Sequence, residues 1–209
     1  MDAAVFRAWI VAAAAAIEAN RDHQTQLDAA IGDADHGINL SRGFTAVLGA
    51  LDPASKTPGA ILTLTGNALI SKVGGASGPL YGVAFRRAGK SLGDAADVDL
   101  PAVAAALQAA LAGVQQLGAA REGDKTMVDA LAAAARAFSK AVAEGASQDN
   151  ALGSLAWAAQ AGAAATISMQ ALKGRASYLG PRSVGHEDPG AASTALILTA
   201  LRDTARETR

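Results

Sequence analysis

The chain has 209 residues, no cysteine and a formal net charge of −1. Disulfides, zinc–thiolate sites and thiol nucleophiles are thereby excluded, and with no Lys/Arg run longer than two residues nucleic acid is not expected as a partner. A chain of this length buries roughly 70% of its unfolded surface and needs no staple, so one domain over 1–209 is expected.

Alanine dominates, aromatic residues make up 4% of the chain, and β-branched runs are nearly absent. Alanine is the strongest helix former, so the expected fold is all-α. Periodicity places helices at about 2–20, 22–30, 38–51, 59–72, 79–92, 100–117, 127–143, 149–172 and 190–206. Long helices joined by short loops suggest an antiparallel bundle or helical barrel. The opening, MDAAVFRAWIVAAAAAIEAN, has no basic n-region and carries Asp2 where a signal peptide would be positive. A cytoplasmic location is expected.

The second helix runs into LDAAIGDADHGINLSRGF, in which Asp28, Asp33 and Asp35 fall within eight residues. Hard cations take oxygen ligands, and Mg²⁺ is typically held by a few carboxylates together with substrate phosphates. An EF-hand loop is ruled out, because Ile38 stands where its glycine belongs and Phe44 where its glutamate belongs. Asp28 lies about one and a half helical turns before Asp33, and a turn at Gly32 can bring the three together. The plainer alternative is that Asp33 or Asp35 only caps the following helix.

After the fourth helix comes KVGGASGPLYG, Lys72 to Gly82. Glycines let backbone approach a ligand closely, and free N–H groups at a helix start bind phosphate. Gly75 would leave room and Ser77 would add a hydroxyl. The spacing fits neither a Walker A loop, nor G-x-G-x-x-G, nor G-x-S-x-G, so a plain turn stays open. Further on, Asp99 and Pro101 suit a helix start. In EGDKTMVDAL, Asp124 and Thr126 can cap a helix, Lys125 can face phosphate or solvent, and Met127 and Leu131 read first as core. Gly145 can end that helix and Asp149 can cap the next. The stretch 150–172 is uncharged, yet its alanines, glutamines and serines fit a buried helix better than a bilayer span; no membrane partner is expected.

The last connection, GRASYLGPRSVGHEDPGAAS, is too long to be an idle connector. Arg175 has the planar fork that suits phosphate, and Asp188-Pro189-Gly190 opens the final helix. A lid over a ligand and a plain surface loop both fit. Of the three histidines, His23 reads as solvated, while His36 and His186 sit in the unusual loops. Those loops are the first, third, fifth and seventh connections. Alternate loops of an up-and-down array share an end, so all four are expected on one rim.

Together, the stretches LDAAIGDADHGINLSRGF, GGASGPLYG, GDKTMVDAL and GRASYLGPRSVGHEDPGA resemble the DhaL-type nucleotide-binding subunits of bacterial dihydroxyacetone kinase. The resemblance implies an eight-helix barrel with ADP or ATP at one rim and two Mg²⁺ ions on Asp28, Asp33 and Asp35. His36, Gly37, Ile38 and Asn39 match the stretch after the metal aspartates that touches the nucleotide. Ser77 and Gly78 match the phosphate-side loop, Gly118 and Met127 the adenine wall, and Arg175 with Asp188-Pro189-Gly190 the closing loop. No residue stands out as a covalent intermediate. Single-chain relatives more often read GDGDTG where this chain reads GDADHG, and no substrate domain is expected before the first helix. The resemblance therefore implies a separate subunit of the phosphotransferase-system type. Its bound ADP is rephosphorylated by a phosphohistidine donor subunit and passes the phosphoryl group to dihydroxyacetone held on a partner kinase subunit. A homodimer is compatible with this reading. An ATP-using kinase subunit for another small ketose or polyol, and a nucleotide-dependent regulatory module, stay open.

Overall fold

The computed structural model describes residues 1–52 and 54–207. Among these, nine α-helices account for the regular structure: α1 (Ala3–Ala19), α2 (Arg21–Ile31), α3 (His36–Ala50), α4 (Pro58–Lys72), α5 (Ser77–Leu92), α6 (Leu100–Gly118), α7 (Met127–Ala143), α8 (Gln148–Ala165) and α9 (Pro189–Glu207). Two 3₁₀ segments, Thr166–Ser168 and Arg175–Ser183, break the path from α8 to α9.

Local chemistry sets most of the starts. The Asp2 carboxylate accepts the N–H groups of Ala4 and Val5 at the head of α1. Thr57 with Pro58 opens α4, and Asp99, with Pro101 in the first turn, opens α6 as expected. Thr126 and Asp129 form a reciprocal capping box on α7. Asp124 plays no part in that cap and accepts the N–H of Arg121 instead. Gly145, at φ +75°, follows the end of α7. Two expectations fail here. Ser147, not Asp149, caps α8, and Asp149 pairs with Arg206. The helix expected to reach 172 stops at Ala165, because Thr166 turns its hydroxyl onto the carbonyl of Ala163 and the chain tightens to 3₁₀.

Eight of the helices close a ring. Each packs on the next in the order α1, α3, α4, α5, α6, α7, α8, α9 and back to α1. This is the expected eight-helix barrel. The ninth helix, α2, is an addition to the ring, set against α3 and α9 after a bend of 61° from α1. Aromatic side chains from three staves fill the interior: Trp9 of α1 and Phe44 of α3 both meet Phe85 of α5, with ring centroids 5.8 and 6.5 Å apart. The buried Trp9 indole donates to the carbonyl of Ile197 on α9, 2.9 Å away, which satisfies its one polar group. Between α4 and α5 the fit depends on glycine. A Cβ on Gly66 would meet the carbonyl oxygen of Gly82 at 2.6 Å, and one on Gly89 would meet that of Gly59 at 2.6 Å.

By length and composition α6, rather than α8, is apolar enough to cross a membrane. In the barrel it lies between α5 and α7, with Val103, Ala106, Leu107, Ala110 and Val114 buried.

Candidate functional site: an acidic rim where four helices begin

The four unusual loops do meet. Asp28, Gly32, Asp33, Asp35 and His36 line one cleft with Gly75 and Ser77, Lys125 to Met127, Arg175, and Asp188 to Gly190. The cleft holds about 190 Å³. The reason lies in the topology. Helices α3, α5, α7 and α9 all begin there, at His36, Ser77, Met127 and Pro189. Each helix start turns the positive end of its dipole to the rim. Side-chain oxygens of Asp28, Thr126 and Asp188 already accept N–H groups at α3, α7 and α9, and the start of α5 alone among the four has no side-chain cap. A larger groove of about 1290 Å³ runs along α4 between α3 and α5. It gathers neither a carboxylate cluster nor a glycine loop, so the chemistry concentrates in the smaller cleft.

The acidic turn is built around Asp28. Its Oδ2 accepts the N–H of Asp35 at 2.8 Å and that of His36 at 3.1 Å. The start of α3 is thus capped from the preceding helix, and the side chains of Asp33 and Asp35 make no cap bond there. Gly32 is required: an added Cβ would fall 2.0 Å from Asp28 Oδ1. Ala34 holds φ +62°, a left-handed conformation that non-glycine residues seldom adopt. Asp28, Asp33 and Asp35 each offer a carboxylate oxygen within 4.8 Å of the others. Three hard oxygen donors from one tight turn fit Mg²⁺ or a similar ion. Arg175 reaches back to this cluster, with its Nε 3.0 Å from Asp33 Oδ2. The arginine expected at phosphate therefore also latches the long loop to the acidic turn.

On the opposite wall, Gly75 holds φ +66° with open space where a Cβ would stand. α5 then begins with no side-chain cap, which leaves the N–H groups of Ser77 and Gly78 without helical acceptors. An apolar pocket of about 270 Å³ continues from this wall, formed by Leu80, Val114, Leu117, Gly118, Met127 and Val128. It shares Ala76, Leu80, Thr126, Met127, Lys173 and Gly174 with the polar cleft. A charged compartment opening into an apolar slot suits a ligand with an anionic tail and a flat apolar head.

Not every residue expected at the site lines it. Ile38 is half exposed on α3, and Asn39 turns to Arg42, accepting its Nη2 at 2.7 Å. Gly37 packs on the carbonyl of Arg21, where a Cβ would come within 2.1 Å, and Gly78 packs on that of Val73. Gly118 lies only in the apolar slot. His23 and His186 are exposed, and neither lines the cleft.

Some roles at the rim were not foreseen from the sequence. Lys125, at φ +60°, is 1% exposed and donates to the carbonyls of Thr166 (2.6 Å) and His186, tying both ends of the long connection to α7. Burial pushes its ammonium pKa down, against the pull of Asp188, Asp129 and Glu187. Asp188 accepts the N–H of Ala191 at 2.7 Å, heading α9. Withdrawal from solvent pushes its carboxyl up to about 7. Beneath the cleft, His36 is wedged between Ser77 and Ser193, and burial lowers its pKa despite the nearby Asp28 and Asp35. The only sequence signals for these buried partners were spacings: Tyr81 four residues after Ser77, and Ser193 four after Pro189.

The chain is thus an all-α barrel with an acidic rim where four helices begin, and residues 30–203 match the DAK2 domain. The chain belongs to the DAK2-domain family. It is 40% identical over 200 residues to the ADP-binding subunit DhaL of the PEP-dependent dihydroxyacetone kinase of Escherichia coli (strain K12), covering 95% of each chain. It is 39% identical to the triokinase/FMN cyclase of Rattus norvegicus over 86% of its own length and 31% of that protein's. Among solved structures it resembles the dihydroxyacetone kinase of C. freundii in complex with AMP-PNP and Mg²⁺, with a TM-score of 0.73 and 29% identity. That match covers 97% of this chain and 34% of that kinase.

Proposed function

We propose that this chain is the ADP-binding subunit of a PEP-dependent dihydroxyacetone kinase, a phosphotransferase that works only with partner subunits. The observation that carries the reading is the meeting of the acidic turn with four helix starts, next to an apolar slot. The full-length match to a protein of that name supports it. Asp28, Asp33 and Asp35 would hold Mg²⁺, two ions in this reading, and through it the phosphates of ADP or ATP. When bound, the metal neutralises charge on the phosphates as the phosphoryl group moves. Backbone N–H groups at Gly75, Ser77 and Gly78 orient the phosphates. Met127 and Gly118 pack the base, and Arg175, Asp188, Pro189 and Gly190 close the site. His36 supports it from below, with Gly37, Ile38 and Asn39 shaping the first turn of α3.

Phosphoryl transfer asks for positioning and electrostatics more than for covalent chemistry by the protein. A rim site is open to two proteins in turn, here a phosphohistidine donor subunit of the phosphotransferase system and a kinase subunit holding dihydroxyacetone. The chain acts as a single domain over 1–209 in the cytoplasm. A second reading, a kinase domain for another small triose, is favoured by the likeness to triokinase. It is weakened by coverage, since this chain spans only 31% of that protein.

The test mixes the purified chain with ATP, Mg²⁺ and dihydroxyacetone and follows dihydroxyacetone phosphate. No turnover is expected until a ketone-binding subunit and a phosphohistidine donor are added. Steady multiple turnover by the chain alone would show the subunit reading to be wrong.

A further inference from the structure

A buried chain of hydrogen bonds runs under the phosphate wall and ends at the cleft. Ser77 Oγ lies 3.1 Å from His36 Nδ1, and His36 Nε2 lies 2.9 Å from Ser193 Oγ. Ser193 Oγ in turn is 2.7 Å from the Tyr81 hydroxyl, which also reaches Thr194 Oγ1 and the Gly190 carbonyl, each at 2.9 Å. Tyr81, Ser193 and Thr194 are at most 4% exposed. The chain thus links the starts of α3, α5 and α9.

A neutral imidazole donates from one nitrogen and accepts at the other, so the chain has two polarities. In the first, His36 carries its proton on Nε2 and donates to Ser193, whose own hydroxyl donates to the Pro189 carbonyl 2.9 Å away. Ser77 must then donate to Nδ1, and it shows only lone pairs to the cleft. In the second, Tyr81 donates to Ser193, Ser193 donates to Nε2, and Nδ1–H donates to Ser77. The Ser77 proton is then free to point into the cleft. Both forms are neutral and differ only in which nitrogen holds the proton. The Gly190 carbonyl keeps a donor in either, since Thr194 donates to it at 2.8 Å, whereas the Pro189 carbonyl loses the Ser193 hydroxyl in the second.

Phosphate oxygens only accept. We propose that Ser193 and Tyr81 are positioning residues that fix His36 as the Nδ1–H tautomer and so turn Ser77 into a phosphate donor. This rests on the reading of the cleft as an ADP site. Neither Ser193 nor Tyr81 touches the ligand; both act through His36 and Ser77.

The experiment has two arms, with Mg²⁺·ADP as the probe. In the first, wild-type protein labelled with ¹⁵N-histidine and loaded with Mg²⁺·ADP is examined by long-range ¹H–¹⁵N correlation, which three histidines keep simple. The His36 proton is expected on Nδ1, and a proton on Nε2 overturns the proposal. In the second, ADP affinity is measured for Ser77→Ala, Ser193→Ala and the double variant. Each single change is expected to weaken ADP about tenfold or somewhat more, the loss of one hydrogen bond to a charged group. The double variant is expected to be no weaker than Ser77→Ala, because the two act in series. Ser193→Thr, which keeps the hydroxyl, should restore binding. Losses that multiply in the double variant would show Ser193 to be merely structural, leaving the ADP site intact but this inference wrong. No binding of Mg²⁺·ADP by the wild type would overturn the ADP site and the inference together.

Discussion

Asp28 has two jobs that can be separated. One oxygen orders the turn by accepting the N–H groups of Asp35 and His36; in the proposed function the charge serves the cation. Asp28→Asn retains an acceptor but loses the charge. It should fold with an unchanged thermal midpoint and bind Mg²⁺ more weakly by a factor on the order of ten to a hundred, as read by calorimetric titration. Asp33→Ala should lose nucleotide along with metal, and protein that retains its full nucleotide content would contradict the metal assignment. Asp188 offers a pH signature. Its carboxyl titrates near 7 when folded, against an ordinary value of 3.8. Between those values the folded protein holds a proton that the unfolded chain has released, so stability falls as pH rises through the window. That contribution is complete below the ordinary carboxylate range and gone above about 7. In metal-free buffer, Asp188→Asn should flatten denaturation midpoints between about pH 4 and 7 relative to wild type, while keeping the α9 cap, since asparagine caps well.

At the scale of elements, the α4–α5 seam shows how the same residue type has opposite consequences. A Cβ on Gly66 would meet the backbone of Gly82 and Arg86 at 2.6 and 2.9 Å, whereas one on Gly49 of α3 meets nothing within 4 Å. Gly66→Ala should therefore destabilise by about 1–3 kcal/mol through overpacking. Gly49→Ala should stabilise by about 0.5–1 kcal/mol through helix propensity. Urea unfolding of the two variants checks both signs, and equal effects would mean that the seam has room to open. The seam matters for function because α5 carries Ser77 and Tyr81. A shift of α5 against α4 moves Ser77 relative to the acidic turn.

For the whole molecule, the cleft ties together the starts of α3, α5, α7 and α9, so a ligand there should brace the barrel. Mg²⁺·ADP at a hundred times its dissociation constant should add about 2.7 kcal/mol. For a chain of this length that amounts to a rise in thermal midpoint of roughly 5–10 °C. EDTA should abolish the rise, since unshielded carboxylates and phosphates repel each other. A rise that survives EDTA would place the nucleotide away from the acidic turn.

The sequence by itself determined the staves of the barrel, their order and the four loops that share a rim. Helix propensity, caps such as Asp99 and Thr126, and the alternation of loops in an up-and-down array are local or topological rules. The acidic turn was legible for the same reason: Asp28, Gly32, Asp33 and Asp35 lie within one turn of chain, so their meeting needs no distant partner. Only the tertiary structure decided the rest. The start of α3 is capped by Asp28 across the turn, not by its neighbour Asp35. Lys125 faces inward to carbonyls 41 and 61 residues away. His36 meets Ser193 from 157 residues further along. Such bonds form because buried polar groups must find partners wherever the packed helices place them, and no periodicity within one helix records which stave will stand opposite.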